Sequence, residues 1–355
     1  MWGSGEDEAG EKNQEHQEEE EEEEEYTLFD RVATGKEYVM MVKHEPGFLV
    51  IIVVNFLVLI VTIFFNVEVQ PIPQIHINNL FVNGYANISD SFPLEITPAS
   101  WTYSLWGAVF AWQLVWAIYS LVSIFRKTSE GPVYLCPVLL PRFFFLLFSL
   151  GLCFNIGWMF LWDRMYVSIA FIFAFLMTFT LFGALVLSYR GLGRNSYLLK
   201  SLGRRADLWM VRVLVQNGVA FYATWSALIA LLDLGSVLSY AAIPQLDVGL
   251  SSTIVLGLVS GFVVVYFLVD IFLADRYSRY TVSPYVVMIV FLTGVFVTAW
   301  RGSTLNGVFS LSLLATCSTL SLIKLFYICL QEATTPKEKE LDILKELDET
   351  RSLLK

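Results

Sequence analysis

Charged residues are scarce in this sequence, at 16% of its 355 residues, whereas a soluble domain carries about 25%. The apolar residues, which make up 56% of the chain, fall in long blocks separated by short polar stretches. Such blocks are typical of membrane-spanning helices, because about 20 helical residues cover the hydrocarbon core. The composition excludes an ordinary soluble fold and predicts an all-α integral membrane protein, with the lipid bilayer as its first partner.

Residues and motifs of catalytic and metal sites are also few. The sequence has four cysteines and three histidines, with no CxxC pair and no Cys/His cluster at metal-ligand spacing. It contains no Gly-rich phosphate loop after a strand, no GxSxG and no HExxH. We therefore expect no disulfide, no metal, no cofactor and no enzymatic activity, and nothing in the sequence indicates nucleic-acid binding.

Negative charge is concentrated at the N-terminus. Residues 1–25 contain 13 acidic residues and one lysine, and end in eight consecutive glutamates, Glu18 to Glu25. Like charges at this density prevent collapse, so the segment is predicted to be a disordered acidic tail. It lacks the early apolar stretch of a signal peptide and is too acidic for a mitochondrial presequence, so the first span is expected to act as the insertion signal.

Eight apolar blocks predict eight transmembrane helices. Lysine and arginine are concentrated before the first block and after the second, fourth and sixth, while the longest of the opposite loops, 66–101, has neither. Positive charge favours the cytosolic side, so this alternation predicts that the N and C termini are both cytosolic. The blocks occupy residues 48–65, 102–125, 142–162, 166–188, 209–235, 251–273, 282–300 and 306–330.

A glycosylation sequon agrees with this orientation. Asn87-Ile88-Ser89 lies in the 66–101 loop, which the charge pattern places outside the cytosol. An N-glycosylation sequon is used on surface loops of proteins in the secretory pathway. We therefore expect a glycoprotein of the plasma membrane or an endomembrane, in preference to mitochondria.

Three motifs combine tryptophan with polar residues. They are Pro98-Ala99-Ser100-Trp101 followed by Trp106, then Asn155-Ile156-Gly157-Trp158, and finally Trp225 with Asp233 eight residues later. In order and spacing these motifs resemble those of the TspO family, the tryptophan-rich sensory proteins also called translocator or peripheral benzodiazepine-receptor proteins. Two departures stand out: Ala99 replaces the second proline of the family motif, and Asp233 replaces an asparagine.

The resemblance covers residues 48–235 and implies a five-helix TspO-like bundle that takes porphyrin-, sterol- or aromatic-like ligands. Residues 236–330 would then be a three-helix extension that braces the bundle or forms the face of a homo-dimer. Residues 26–47 are predicted to be a cytosolic pre-membrane segment. The tail 331–355 contains an amphipathic stretch that would lie on the membrane or on a partner, or stay solvated.

In this orientation the motif residues of three helices lie at similar depth, in the outer half of the membrane. Aromatic rings with a few polar groups are typical of a pocket for a flat apolar ligand. The alternative is that the tryptophans form an interfacial belt and the asparagine only links helices. The candidate ligand-binding residues are Trp101, Trp106, Asn155, Trp158, Tyr222, Trp225 and Asp233.

Charged residues inside the spans raise a second possibility. Asp270 and Lys324 fall within about 5 Å of the same depth, and a charge at mid-bilayer costs about 2.5–3.5 kcal/mol. We therefore predict an intramembrane ion pair, although each side chain could instead extend to the membrane surface. With Asp233, these residues also suit a transporter or channel for a polar solute or proton. A non-catalytic receptor or scaffold that signals through its tails is a third possibility.

Overall fold

The computed structural model describes residues 43–69, 80–83, 88, 91–128, 131–300 and 304–334. The chain divides into two units, and Met41–Leu330 is the one that contains the helices, except for the last turn of the final helix. The second unit, Met1–Met40 with Gln331–Lys355, lies almost wholly outside the described residues. The predicted acidic tail, the Asn87 sequon and the amphipathic C-terminal stretch also lie outside the described residues.

Nine α-helices lie in the described part of the chain. A 3-10 turn at Ser100–Ser104 leads into the second helix, and a short hairpin pairs β1, Lys127–Thr128, with β2, Gly131–Pro132. The fifth helix contains two π-helical segments, and the sixth ends in one. The helices are α1 Pro46–Glu68, α2 Leu105–Phe125, α3 Arg142–Asp163, α4 Val167–Ser201, α5 Arg205–Ala241, α6 Val248–Leu273, α7 Asp275–Ser278, α8 Ser283–Ala299 and α9 Leu305–Thr334.

Within these residues, seven helices are long and apolar enough to cross a membrane. The remaining apolar helix, α8, has 17 residues, which is the lower end of the range for a spanning helix. The prediction of an all-α integral membrane protein is therefore confirmed. Each of the eight predicted apolar blocks corresponds to one of these helices.

Contacts between helix ends define one of the two end faces of the bundle, which are the surfaces that would lie on either side of a membrane. Arg142 at the start of α3 forms an ion pair with Glu45, which precedes α1. Arg126, just after α2, lies 2.7 Å from the carboxylate of Asp207 in the first turn of α5. The start of α1, the end of α2 and the starts of α3 and α5 therefore share this face, as alternating membrane crossings require.

A second set of contacts defines the opposite face. Tyr240, near the end of α5, donates a hydrogen bond of 2.6 Å to the carbonyl oxygen of Pro93. Asn306, at the start of α9, donates one of 2.7 Å to the Glu95 carboxylate. The segment that leads into α2 thus joins the end of α5 to the start of α9.

The short helix α8 runs between these two faces. At its start, the Asn217 side-chain oxygen accepts a hydrogen bond of 3.1 Å from the backbone N–H of Ser283. At its other end, the Thr298 hydroxyl donates one of 2.6 Å to the carbonyl oxygen of Thr97. Eight described helices therefore run from face to face, and this even number places the start of α1 and the end of α9 on the same face.

Helix α4 continues well beyond its predicted span. The apolar block ends near residue 188, whereas the helix runs to Ser201. Leu192 and Leu199, one heptad apart, are buried against the bundle, while Arg190 and Arg194 are exposed. The extra turns are therefore an amphipathic helix, which a search for apolar blocks does not detect.

Helix α5 lies at the centre of the bundle. In its most apolar stretch 78% of the residues are buried, compared with 28% in α1 and α6 and 17% in α9. It packs against α2, α4, α6 and α8, so helices from both sides of the predicted boundary at residue 235 contact it. That boundary therefore falls inside α5. Because α5 is the central helix, it places members of the candidate site in the interior of the bundle.

Candidate ligand-binding site

Four aromatic side chains from three helices meet in the middle of the bundle. The ring of Trp106 in α2 lies 5.7 Å from that of Trp158 in α3, and 5.9 Å and 6.2 Å from those of Trp225 and Tyr222 in α5, measured between centroids. All four side chains are at most 4% exposed. We call these four residues the aromatic cluster, and all of them were predicted as site residues from the sequence.

The rings of the aromatic cluster fill the space between the helices. Trp106 packs edge to face on Trp225 and Tyr222, with interplanar angles of 84° and 74°, an arrangement that aromatic pairs favour. The indole N–H groups of Trp106 and Trp225 have no hydrogen-bond acceptor among the described residues. A buried donor without an acceptor costs about 1–3 kcal/mol, so the cluster contains two unused donors in a well-packed apolar setting.

Asp233 borders the aromatic cluster through Trp158. The indole N–H of Trp158 donates a hydrogen bond of 2.7 Å to the Asp233 carboxylate, and Asp233 is 3% exposed. The link joins α3 to α5, and it satisfies one indole donor of the cluster.

Asn155 is buried close to the aromatic cluster and links helices. Its side-chain oxygen accepts a hydrogen bond of 2.9 Å from Asn66 in α1, and its amide lies 3.5 Å from the sulfur of Met177 in α4. The Tyr222 hydroxyl donates to the same sulfur, also at 3.5 Å. Asn155 therefore joins α1, α3 and α4, as polar side chains in membrane helices commonly do. Its partners Asn66 and Met177 border the candidate site, and the motifs do not reveal them.

Trp101 lies apart from the aromatic cluster. It belongs to the 3-10 turn before α2 and is 48% exposed, whereas the next residue, Thr102, is fully buried. Tyr103 is the residue of this turn that reaches the cluster, with its ring 6.4 Å from that of Trp225. The motif groups Trp101 with Trp106, whereas the 3-10 turn leaves Trp101 exposed and brings the Tyr103 ring to the cluster.

A small cavity lies beside Asp233. Its volume is about 30 Å³, which is enough to hold at least one water molecule. Three of its walls are the rings of Phe92, Tyr103 and Trp162. Trp162 stacks on Trp158 at 6.2 Å, so the cavity is continuous with the aromatic wall of the site.

The structure brings Asp270 and Lys324 together. Lys324 Nζ lies 3.0 Å from Asp270 Oδ2, and both side chains are at most 2% exposed. Asp270 also accepts hydrogen bonds from Ser278, at 2.5 Å, and from the hydroxyl of Tyr285, at 2.7 Å. These contacts connect α6, α7, α8 and α9 near the face that carries the start of α1.

The fold and the aromatic cluster define a multi-pass membrane protein with a tryptophan-rich centre formed by α2, α3 and α5. The family described as TSPO-like protein has a model that matches residues 51–330, and the chain belongs to this family. The match runs from α1 into α9, so it includes the helices beyond residue 235. No curated protein and no solved structure matches the chain.

Proposed function

We propose that this protein binds a small, flat, largely apolar ligand in the aromatic cluster and that it acts without catalysis, as a ligand-binding or transport protein of the TspO type. The observation that supports this most directly is the arrangement around Trp106, whose ring contacts rings from α3 and α5 at centroid distances of 5.7–6.2 Å. A flat ligand inserted there would stack on several rings at once, since aromatic faces favour offset contact.

The two unused indole donors also support binding. The N–H groups of Trp106 and Trp225 face no acceptor among the described residues, and a ligand atom or ring face that accepts a hydrogen bond would relieve their cost. The rings touch one another, so binding requires that they separate. We therefore expect the binding-competent arrangement to be a second conformation that the ligand stabilises.

A transport path for a polar solute or proton finds less support in the charged residues. Asp270 is held by Lys324, Ser278 and Tyr285, and such a fully partnered group fits a brace between helices. We assign this pair a structural role in the present proposal. The tails, on which a scaffold function depends, lie outside the described residues.

The binding proposal can be tested by photolabelling with benzophenone, a small apolar aromatic ketone. The full-length chain in lipid nanodiscs is irradiated with the probe, and the adducts are mapped by mass spectrometry with and without excess diphenylmethane as competitor. We expect adducts near Trp106, Trp158 and Trp225 that the competitor removes, because they come from a saturable site. Adducts spread over lipid-facing positions and insensitive to the competitor would contradict the proposal.

A matched pair of variants sharpens this test. Trp225→Phe removes an indole from the cluster, whereas Trp209→Phe makes the same change at a position that is 45% exposed. An aromatic contact contributes about 0.5–1.5 kcal/mol, so Trp225→Phe should weaken the competitor-sensitive labelling about 2- to 10-fold, and Trp209→Phe should leave it unchanged. Equal effects of the two changes would contradict a site in the cluster.

The sidedness of the membrane is part of the proposal. Arg126, Arg142 and Arg204 lie on the face that carries the start of α1, which supports a cytosolic location for that face. The aromatic cluster would then lie towards the non-cytosolic side of a plasma membrane or endomembrane.

Orientation is tested by the sequon at Asn87. We expect the protein from a eukaryotic host to shift to lower mass after treatment with peptide N-glycosidase, because the loop 66–101 faces the lumen in the proposed orientation. Asn87→Gln should abolish the shift, while Asn83→Gln, in the same loop but outside a sequon, should preserve it. A protein without the shift, although correctly inserted, would oppose the proposed orientation.

A further inference from the structure

Asp233 differs from the other buried aspartates in its surroundings. Asp163, Asp207 and Asp270 each lie within 4.0 Å of a lysine or arginine nitrogen. Asp233 is equally buried, at 3% exposure, and its partner among the described side chains is the neutral indole N–H of Trp158. A buried carboxylate without a cation carries a large desolvation penalty, which either a proton or a cation supplied from elsewhere would relieve.

The cavity beside Asp233 has the dimensions and walls of a site for such a cation. Its volume of about 30 Å³ is enough to hold at least one water molecule, and an ammonium group, which is of similar size, would also fit. The rings of Phe92, Tyr103 and Trp162 line it, and aromatic faces attract cations through their quadrupole. Of the described residues on its walls, Asp233 is the charged one.

From this arrangement we propose that the ligand of the aromatic cluster carries a protonated amine, which binds Asp233 within the cavity while the apolar body of the ligand stacks on the cluster. This inference rests on the proposed function and specifies its ligand class: a flat aromatic or alicyclic amine. One group on the walls favours a different ligand. The indole N–H of Trp162 has no acceptor among the described residues, so a neutral or anionic acceptor is the competing occupant.

The test compares three probes of one shape and different charge: 2-naphthylmethylamine, 2-naphthylmethanol and 2-naphthoic acid. Their dissociation constants are measured with the full-length chain in phosphatidylcholine nanodiscs, with binding to empty nanodiscs subtracted. We expect the amine to bind about tenfold or more tightly than the alcohol, because a charge-assisted hydrogen bond and the aromatic walls both favour the cation. The acid should bind most weakly, since its charge repels the carboxylate.

Asp233→Asn provides the site-specific comparison, because asparagine keeps the shape and can still accept from Trp158. The variant should lose affinity for the amine alone and bind the alcohol as the wild type does. Asp247→Asn is the matched control: Asp247 caps α6 by accepting from the Gly249 and Leu250 N–H groups, a role that asparagine fills equally well. It should retain the preference for the amine.

The outcomes separate this inference from the proposed function. Equal binding of amine and alcohol by the wild type, or tighter binding of the acid, overturns the amine assignment, and the proposed function stands if the naphthalene probes still compete with benzophenone. An amine preference that survives Asp233→Asn also overturns the assignment. If none of the probes binds above empty nanodiscs and none competes with benzophenone, the proposed function fails together with the inference.

Discussion

Replacing Lys324 by glutamine is expected to destabilise the protein by about 3–5 kcal/mol, because it leaves the Asp270 carboxylate buried without its cation. The pair is separated by 3.0 Å, and both side chains are almost completely enclosed by protein. Neither side chain reaches solvent or the lipid surface, so neither water nor a lipid headgroup can take the place of the lost cation beside Asp270. The free energy of unfolding in mixed detergent micelles measures this loss.

A double-mutant cycle tests whether the two residues act together. Asp270→Asn and Asp270→Asn/Lys324→Gln complete the cycle, and the double variant should lose clearly less than the sum of the single losses. The control pair is Asp275 and Arg279, which lie 2.6 Å apart and are partly exposed, with side-chain exposures of 16% and 26%. Arg279→Gln should cost about 1 kcal/mol or less. Additive losses at Asp270 and Lys324 would contradict their role as a pair.

Gly294→Ala is expected to cost about 1–3 kcal/mol, the usual effect of overpacking a core. A Cβ atom at this position of α8 would lie 2.0 Å from the Thr102 hydroxyl oxygen and 3.1 Å from Thr102 Cβ. The close approach is fixed by the backbone, since the Ala99 N–H donates to the Gly294 carbonyl oxygen at 3.1 Å. The loss is measured as a shift in unfolding midpoint of the purified protein.

Two further variants isolate the steric cause. Thr102→Ala removes the nearest atom and should restore much of the stability lost in Gly294→Ala. Gly257→Ala in α6 is the matched control, because a Cβ there meets nothing within 4 Å, and alanine is a better helix former than glycine by about 1 kcal/mol. Equal losses at Gly257 and Gly294, or no rescue by Thr102→Ala, would show that packing of α8 on the turn before α2 is not the reason.

The membrane-spanning architecture could be predicted from the sequence because hydropathy reports directly on which segments enter the bilayer. Hydropathy does not reveal helical turns that lie outside the bilayer. The last turns of α4 are an example, because they pack on the bundle through a buried stripe that includes Leu192 and Leu199. The motifs lie in α2, α3 and α5, so they indicate the family only as far as residue 235. The family match itself continues to residue 330.

The contacts around the candidate site and the ion pair were predictable in part, because helical geometry converts sequence position into depth. Counting at 1.5 Å per residue brought Asp270 and Lys324 to one level, but it could not reveal Ser278 and Tyr285, which reach Asp270 from outside its own helix. The same counting placed Trp106 and Trp158 at similar depth. It could not show that Tyr103 contacts the cluster in place of Trp101, because that contact depends on a local 3-10 turn that residue spacing does not encode.

Side-chain packing is the feature that the sequence did not reveal. The motifs predict aromatic residues around a pocket, whereas the described rings contact one another and leave a cavity of about 30 Å³ beside Asp233. Whether rings enclose a space or fill it depends on rotamers and on the exact spacing of helices, which no residue pattern states. Ligand binding as we propose it therefore depends on how far Trp106, Trp158 and Trp225 can separate.

The most direct measurement is the position of a heavy atom carried by a flat apolar ligand. Crystals of the full-length protein grown in lipidic cubic phase with 2-bromonaphthalene would locate bromine by its anomalous scattering. Our account predicts an ordered bromine peak among Trp106, Trp158 and Trp225, with these rings moved apart. Bromine found only on the lipid-facing surface, with the three rings still in mutual contact, would contradict it.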